Sequence, residues 1–77
     1  MKIKVRYFGQ LQEVTGKSEE HFELTLDTTA SLRRFLKTLY PELGTMNFKI
    51  AQDNKITSDS SPLKGQLIDL LPPFSGG

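Results

Sequence analysis

A chain of 77 residues with 36% hydrophobic content has room for one small domain and a modest core, so its stability must come from packing or from a partner. It has no cysteine, which excludes disulfides, a zinc-thiolate centre and a cysteine nucleophile, and fits a reducing compartment. Ten basic residues against nine acidic ones leave a formal charge of +1, with no general pull toward nucleic acid or an anionic membrane; the partner to expect is a protein.

Residues 2–8 alternate with period two, Ile3, Val5 and Tyr7 against Lys2, Lys4, Arg6 and Phe8, which predicts a first strand with one buried face. The same alternation lacks the apolar run of a signal peptide or membrane helix, so a cytoplasmic chain is expected. Residues 10–15 predict a short helical turn closed by Gly16 and anchored by Leu11 and Val14. Alternation resumes over residues 19–26, with Phe22, Leu24 and Leu26 opposed to His21, Glu23 and Thr25, and predicts a second strand paired with the first. Asp27, Thr28 and Thr29 offer capping oxygens ahead of Leu32, Phe35, Leu36 and Leu39, whose spacing is that of one helical face, and Pro41 should stop that helix. Arg33, Arg34 and Lys37 fall off the apolar face and read as a solvated surface, not a nucleic-acid site. Phe48, Ile50 and Ile56, with Asp53-Asn54 between them, predict a short hairpin. Leu63 is expected to plug the core from a single turn, and residues 66–71 to form the last strand.

The end of the chain is the distinctive stretch. Pro72-Pro73 locks the backbone in extended conformations after the last strand, and Gly76-Gly77 has no side chain, so a free α-carboxylate on Gly77 could enter a channel too narrow for any other residue. This predicts a domain over residues 1–71 and a tail over residues 72–77. In the last strand Ile68 and Leu70 share one face, and Leu67, Asp69 and Leu71 the other. With the first and last strands as neighbours, Phe8, Leu67 and Leu71 would form an apolar docking patch beside the tail; the alternative is that the protein's own loops cover them or that they are a scatter of ordinary surface apolar residues. His21, with Glu20 and Glu23 near it, reads as a solvated strand face and not as a metal or acid-base site. No catalytic constellation is visible.

Strand, strand, helix, short strands and a final strand make the order of an α+β protein with the β-grasp, ubiquitin-like fold. Three stretches carry a resemblance along nearly the whole chain: Tyr7-Phe8-Gly9-Gln10-Leu11-Gln12-Glu13-Val14-Thr15-Gly16, then Leu63-Lys64-Gly65-Gln66, and Pro72-Pro73-Phe74-Ser75-Gly76-Gly77. They are similar to those of the molybdopterin synthase small subunits, a family of sulfur-carrier proteins. The resemblance implies a chain that is not itself an enzyme. A ubiquitin-activator-like adenylyltransferase would use ATP and Mg²⁺ to form a glycyl adenylate on Gly77, the one point at which a nucleotide is held. Sulfur would then replace the nucleotide and leave a thiocarboxylate. The tail, with Gly76 giving access, would enter the large synthase subunit and deliver sulfur to cyclic pyranopterin monophosphate in molybdenum cofactor biosynthesis. Phe8, Leu67, Leu71 and Phe74 are the expected partner contacts; no cofactor or metal is expected on the chain itself. A sulfur carrier for thiamin thiazole or another sulfur-containing metabolite, and a ubiquitin-like protein modifier, use the same terminus and remain the alternatives.

Overall fold

A computed structural model describes residues 1–64 and 66–73. In the first strand, β1 (Lys2–Tyr7), Ile3, Val5 and Tyr7 are buried, while Lys2, Lys4 and Arg6 point to the other side. Gly9, at φ 57°, turns the chain into α1 (Gln10–Thr15), and Gly16 ends that helix in the left-handed conformation at φ 74°, its N–H donating to the Gln12 carbonyl at 2.7 Å. Leu11 is fully buried and Val14 packs against the core, so the short helix is held by tertiary contact and not by its length.

β2 (Glu19–Glu23) runs antiparallel to β1, with Ile3 opposite Phe22 and Lys4 opposite His21. It stops at Glu23 instead of reaching residue 26. The N–H of Leu24 bonds the Met1 carbonyl at 2.8 Å, and there the ladder on β1 ends; Leu24 and Leu26 still pack on the core from outside the sheet.

α2 (Thr29–Leu39) starts where its caps predict. Thr28 Oγ1 accepts from the Ser31 N–H at 3.2 Å, and the next two orphan donors, the N–H groups of Thr29 and Ala30, reach the Ser61 and Asp59 carbonyls at 3.0 Å each. The loop after β4 is thus pinned across the helix N-terminus. Leu63 follows it into the core, donating its N–H to the Asp27 carbonyl at 2.9 Å, from irregular backbone and not from the expected single turn. Leu32 and Leu36 are fully buried, each contributing about 2 kcal/mol by burial, and Phe35 meets Phe22 edge-to-face with centroids 5.3 Å apart. Leu39, assigned by spacing to the same face, is instead 43% exposed at the last turn. Pro41 does end α2, and it also opens a 3₁₀ turn, Pro41–Thr45, that the sequence did not suggest; its Leu43 is fully buried.

β3 (Lys49–Gln52) and β4 (Lys55–Ile56) form the expected hairpin, with Asp53 and Asn54 both at positive φ, 50° and 70°, as a two-residue turn with the twist of the flanking strands requires. β5 (Leu67–Leu71) lies between β1, to which it is parallel, and β3, to which it is antiparallel. The sheet order is β2-β1-β5-β3-β4, with α2 on one face: the β-grasp arrangement. Among the described residues no buried side-chain nitrogen or oxygen lacks a hydrogen-bond partner, and no helix is long and apolar enough to cross a membrane.

Candidate functional site: the open sheet face and the base of the tail

α2 covers one side of the sheet, so alternate residues of every strand face outward on the other. On β5 these are Leu67, Asp69 and Leu71, and on β1 they are Lys2, Lys4 and Arg6, with Phe8 just beyond. The structure therefore brings Phe8 and Leu71 side by side. One step past the Tyr7–Leu70 pairing puts them level, and the Phe8 N–H donates to the Leu70 carbonyl at 3.3 Å. Phe8 is 37% exposed and Leu71 half-buried.

Leu67 is on the same face but is not contiguous with them. Asp69 stands between the two leucines and binds Arg6 in a two-pronged pair, Nε to Oδ1 at 2.6 Å and Nη2 to Oδ2 at 2.8 Å. This hydrogen bond to Asp69 outweighs the desolvation of Arg6 and raises its pKa above the usual arginine value. The guanidinium also lies 5.5 Å from the centre of the Phe8 ring. Arg6 therefore spends its charge within the sheet and fixes the ring that the patch presents. The patch is two apolar areas with an ion pair as their divider.

A further member was not visible in the sequence. Ala51 pairs with Asp69 on one side and with Ile56 on the other, so Ala51 and Ile56 share this face, and Ile56 is 57% exposed. A strand of two residues has no readable phase. Only its pairing to β3 tells which way Ile56 points.

Pro72, the residue after β5, is built against the α1 turn. Gly9 combines φ 57° with ψ −130°, and a Cβ built there would lie 3.2 Å from Pro72 Cγ. Glycine at position 9 thus serves backbone geometry and close approach together. Pro72 is half-buried at this contact and Pro73 exposed. The remaining predicted site residues, Phe74, Gly76 and Gly77, lie outside the described residues.

The predicted solvated group around His21 divides in two. His21 and Glu23 do face outward, but Glu20 points to the opposite side. There its carboxylate accepts from Tyr40 Oη at 2.7 Å, Lys17 Nζ at 2.8 Å and Tyr7 Oη at 2.9 Å. Burial works to raise the Glu20 pKa, but the hydrogen bonds from Lys17, Tyr40 and Tyr7 together hold it below the usual glutamate value. Burial first, and then the bond to Glu20, push the Tyr7 phenol far up, so it remains a protonated donor. This network ties β1 and β2 to the end of α2. Among the described residues no group of three or more His, Asp or Glu converges as a metal site would. The basic trio divides likewise: Arg33 is not a free surface cation but donates to the Phe48 carbonyl at 2.7 Å and stacks 4.6 Å over the Phe48 ring.

Residues 5–77 match the model of the ThiS family. A molybdopterin synthase sulfur carrier subunit from Dictyostelium discoideum is 32% identical, the match covering 99% of this chain and 96% of that protein. One from Caenorhabditis briggsae is 31% identical, covering 100% and 99%. Among solved structures, a candidate molybdopterin converting factor subunit 1 from Pyrococcus furiosus superposes with a TM-score of 0.86 at 23% identity, covering 96% of this chain and 99% of that one. The small archaeal modifier protein 1 of Methanosarcina acetivorans gives 0.81 at 24% identity, covering 99% and 96%. These two show the shared fold. A complex of subunits 1 and 2 of the molybdopterin-converting factor from Helicobacter pylori contains a chain that matches with a TM-score of 0.66 at 29% identity, each chain covered in full.

Proposed function

The chain belongs to the ThiS family, and from that membership we propose that it is the sulfur-carrier subunit of a molybdopterin synthase, with Gly77 as the residue that carries the sulfur. The observation behind this reading is full-length similarity to two relatives named as such carriers, within a family match that runs through Gly76-Gly77. A complex of the two converting-factor subunits that contains a similar chain supports a large subunit as the partner.

In the proposed mechanism a separate adenylyltransferase attaches the Gly77 carboxylate to the α-phosphorus of ATP, with Mg²⁺, and pyrophosphate leaves. A carboxylate alone is a poor electrophile, and the mixed anhydride gives its carbonyl carbon a good leaving group. A persulfide sulfur displaces AMP, and a thiol then reduces the sulfur–sulfur bond, which leaves the thiocarboxylate. The large subunit performs the transfer to cyclic pyranopterin monophosphate. This chain's part is positional: Pro72 follows β5 and is seated on Gly9, beside Phe8 and Leu71, which are the proposed docking contacts together with Leu67 and Phe74.

The test is intact mass after incubation with a candidate adenylyltransferase, ATP, Mg²⁺ and a sulfur donor, followed by mixing with the large subunit and cyclic pyranopterin monophosphate. The expected result is replacement of one oxygen by sulfur on Gly77 and formation of molybdopterin from that form alone. Recovery chiefly as lysine conjugates would overturn the carrier role in favour of a modifier. Activity confined to thiazole synthesis would keep the carrier chemistry and change the pathway.

A further inference from the structure

β2 is one edge of the sheet, and its hydrogen-bond phase is fixed by two bonds that bracket it. Tyr7 N–H donates to the Ser18 carbonyl at 2.9 Å, and Leu24 N–H to the Met1 carbonyl at 2.8 Å. With Ile3 opposite Phe22 and Val5 opposite Glu20, these bonds assign Ser18, Glu20, Phe22 and Leu24 to the positions that bond β1. The N–H and C=O groups of Glu19, His21 and Glu23 therefore point away from the sheet, and no described residue bonds them. Beside them on the helix-covered side lie half-buried Phe22 and a groove of about 320 Å³ lined by Leu26, Ser31, Arg34, Phe35 and Thr38.

We propose that this edge is a second docking site, which takes up by strand addition an extended segment of another protein with alternating basic and apolar residues. The chemistry of the occupant is visible on the strand's other side. β1 sets Lys2 against Glu23, Lys4 against His21, Arg6 against Glu19, and Ile3 against Phe22. The free side offers the same Glu-x-His-x-Glu row with matching backbone donors and acceptors, so it selects the same alternation. Glu23 and His21 form no ion pair with any described residue, and Glu19 holds Lys4 at 3.2 Å in an exposed contact. A second copy of β2 is a poor occupant, because antiparallel self-pairing about His21 sets Glu19 opposite Glu23, like charge against like. β1 of a second copy is unavailable, being enclosed between β2 and β5.

The edge lies two strand spacings, about 10 Å, from β5. A segment bound there leaves Phe8, Leu71 and the base of the tail uncovered. The site would let the carrier be held by one protein while its tail is presented to another, and it does not depend on what Gly77 carries.

The test uses the ¹⁵N-labelled full chain and a short capped peptide of alternating lysine and valine. The expected result is slowed exchange of the Glu19, His21 and Glu23 amides on binding, with affinity reduced about tenfold by Glu23→Lys. His21→Pro should abolish binding with the β1 ladder intact, since it removes an N–H that β1 does not use; if that variant does not fold, Glu23→Lys decides alone. The proposal is overturned by protection of amides elsewhere, by equal binding of a peptide with glutamate for lysine or of a block isomer of the same composition, or by unchanged affinity in Glu23→Lys. Concentration-dependent protection of the same amides without peptide would assign the edge to a second copy and overturn it also.

Discussion

Glu20 and Gly9 show how single residues hold the ends of the sheet in place. Glu20 receives three donors, so Glu20→Gln should cost about 1–2 kcal/mol at neutral pH by urea unfolding, the scale of lost hydrogen bonds to a charged group. Its pH dependence has a definite sign. A carboxyl held below its unfolded value binds protons more weakly in the folded state, so its stabilisation is complete above the unfolded value of about 4.3 and disappears as pH falls through the lower folded value. The difference between wild type and Glu20→Gln should thus be constant near neutrality and shrink only in acid; a difference that grew as pH fell would refute the network's role. For Gly9→Ala the backbone sits where L-residues are strained and the new methyl would crowd Pro72 Cγ at 3.2 Å. The expected cost is about 1–3 kcal/mol by the same measurement.

Elements were legible in the sequence where their residues make their own pattern and illegible where a neighbour decides. The alternation of β1 and β5, the cap of α2 and the Asp53-Asn54 turn are local signals, and each lies within about a residue of its expected place. β2 ends three residues early because its pairing partner ends, and the 3₁₀ turn after Pro41 exists because Leu43 finds the core, which no local pattern announces. The site follows the same division. Phe8, Leu67 and Leu71 could be assigned to one face by phase, but the Arg6–Asp69 pair between them and the arrival of Ile56 depend on strand order. Glu20 reads as solvated in the sequence although it is in phase with Phe22, because its two tyrosine partners are not visible there; Tyr40 arrives from the far end of α2. The cap itself is testable: Thr28→Ala should lower stability by about 1 kcal/mol, because it leaves the Ser31 N–H without its acceptor while the loop carbonyls still serve Thr29 and Ala30. No change in the unfolding midpoint would mean that the loop alone closes the helix.

At the scale of the molecule the sheet separates two surfaces, an open face ending beside Pro72 and a helix-covered face bordered by the β2 edge. On the proposed function the large subunit docks on the first and not on the second, so charge placed on each should have separable effects. Phe8→Asp and Ile56→Asp put a carboxylate on exposed positions of the open face, where loss of an apolar anchor should weaken large-subunit binding by about 2 kcal/mol, the scale of an interface hot spot. Leu39→Asp puts the same charge at a comparably exposed position on α2 and should leave that affinity unchanged. All three side chains are exposed, so circular dichroism should stay close to wild type, as should the unfolding midpoints of Ile56→Asp and Leu39→Asp, which keeps a binding loss from being a folding loss. Phe8→Asp carries an added consequence: Arg6, relieved of its ring, can turn toward the new carboxylate and loosen Asp69, so its effect should exceed that of Ile56→Asp. Calorimetric titration of the three variants with the large subunit measures this order directly. Equal loss from Leu39→Asp and Phe8→Asp would remove the open face as the docking surface and point to contacts spread over both sides of the sheet.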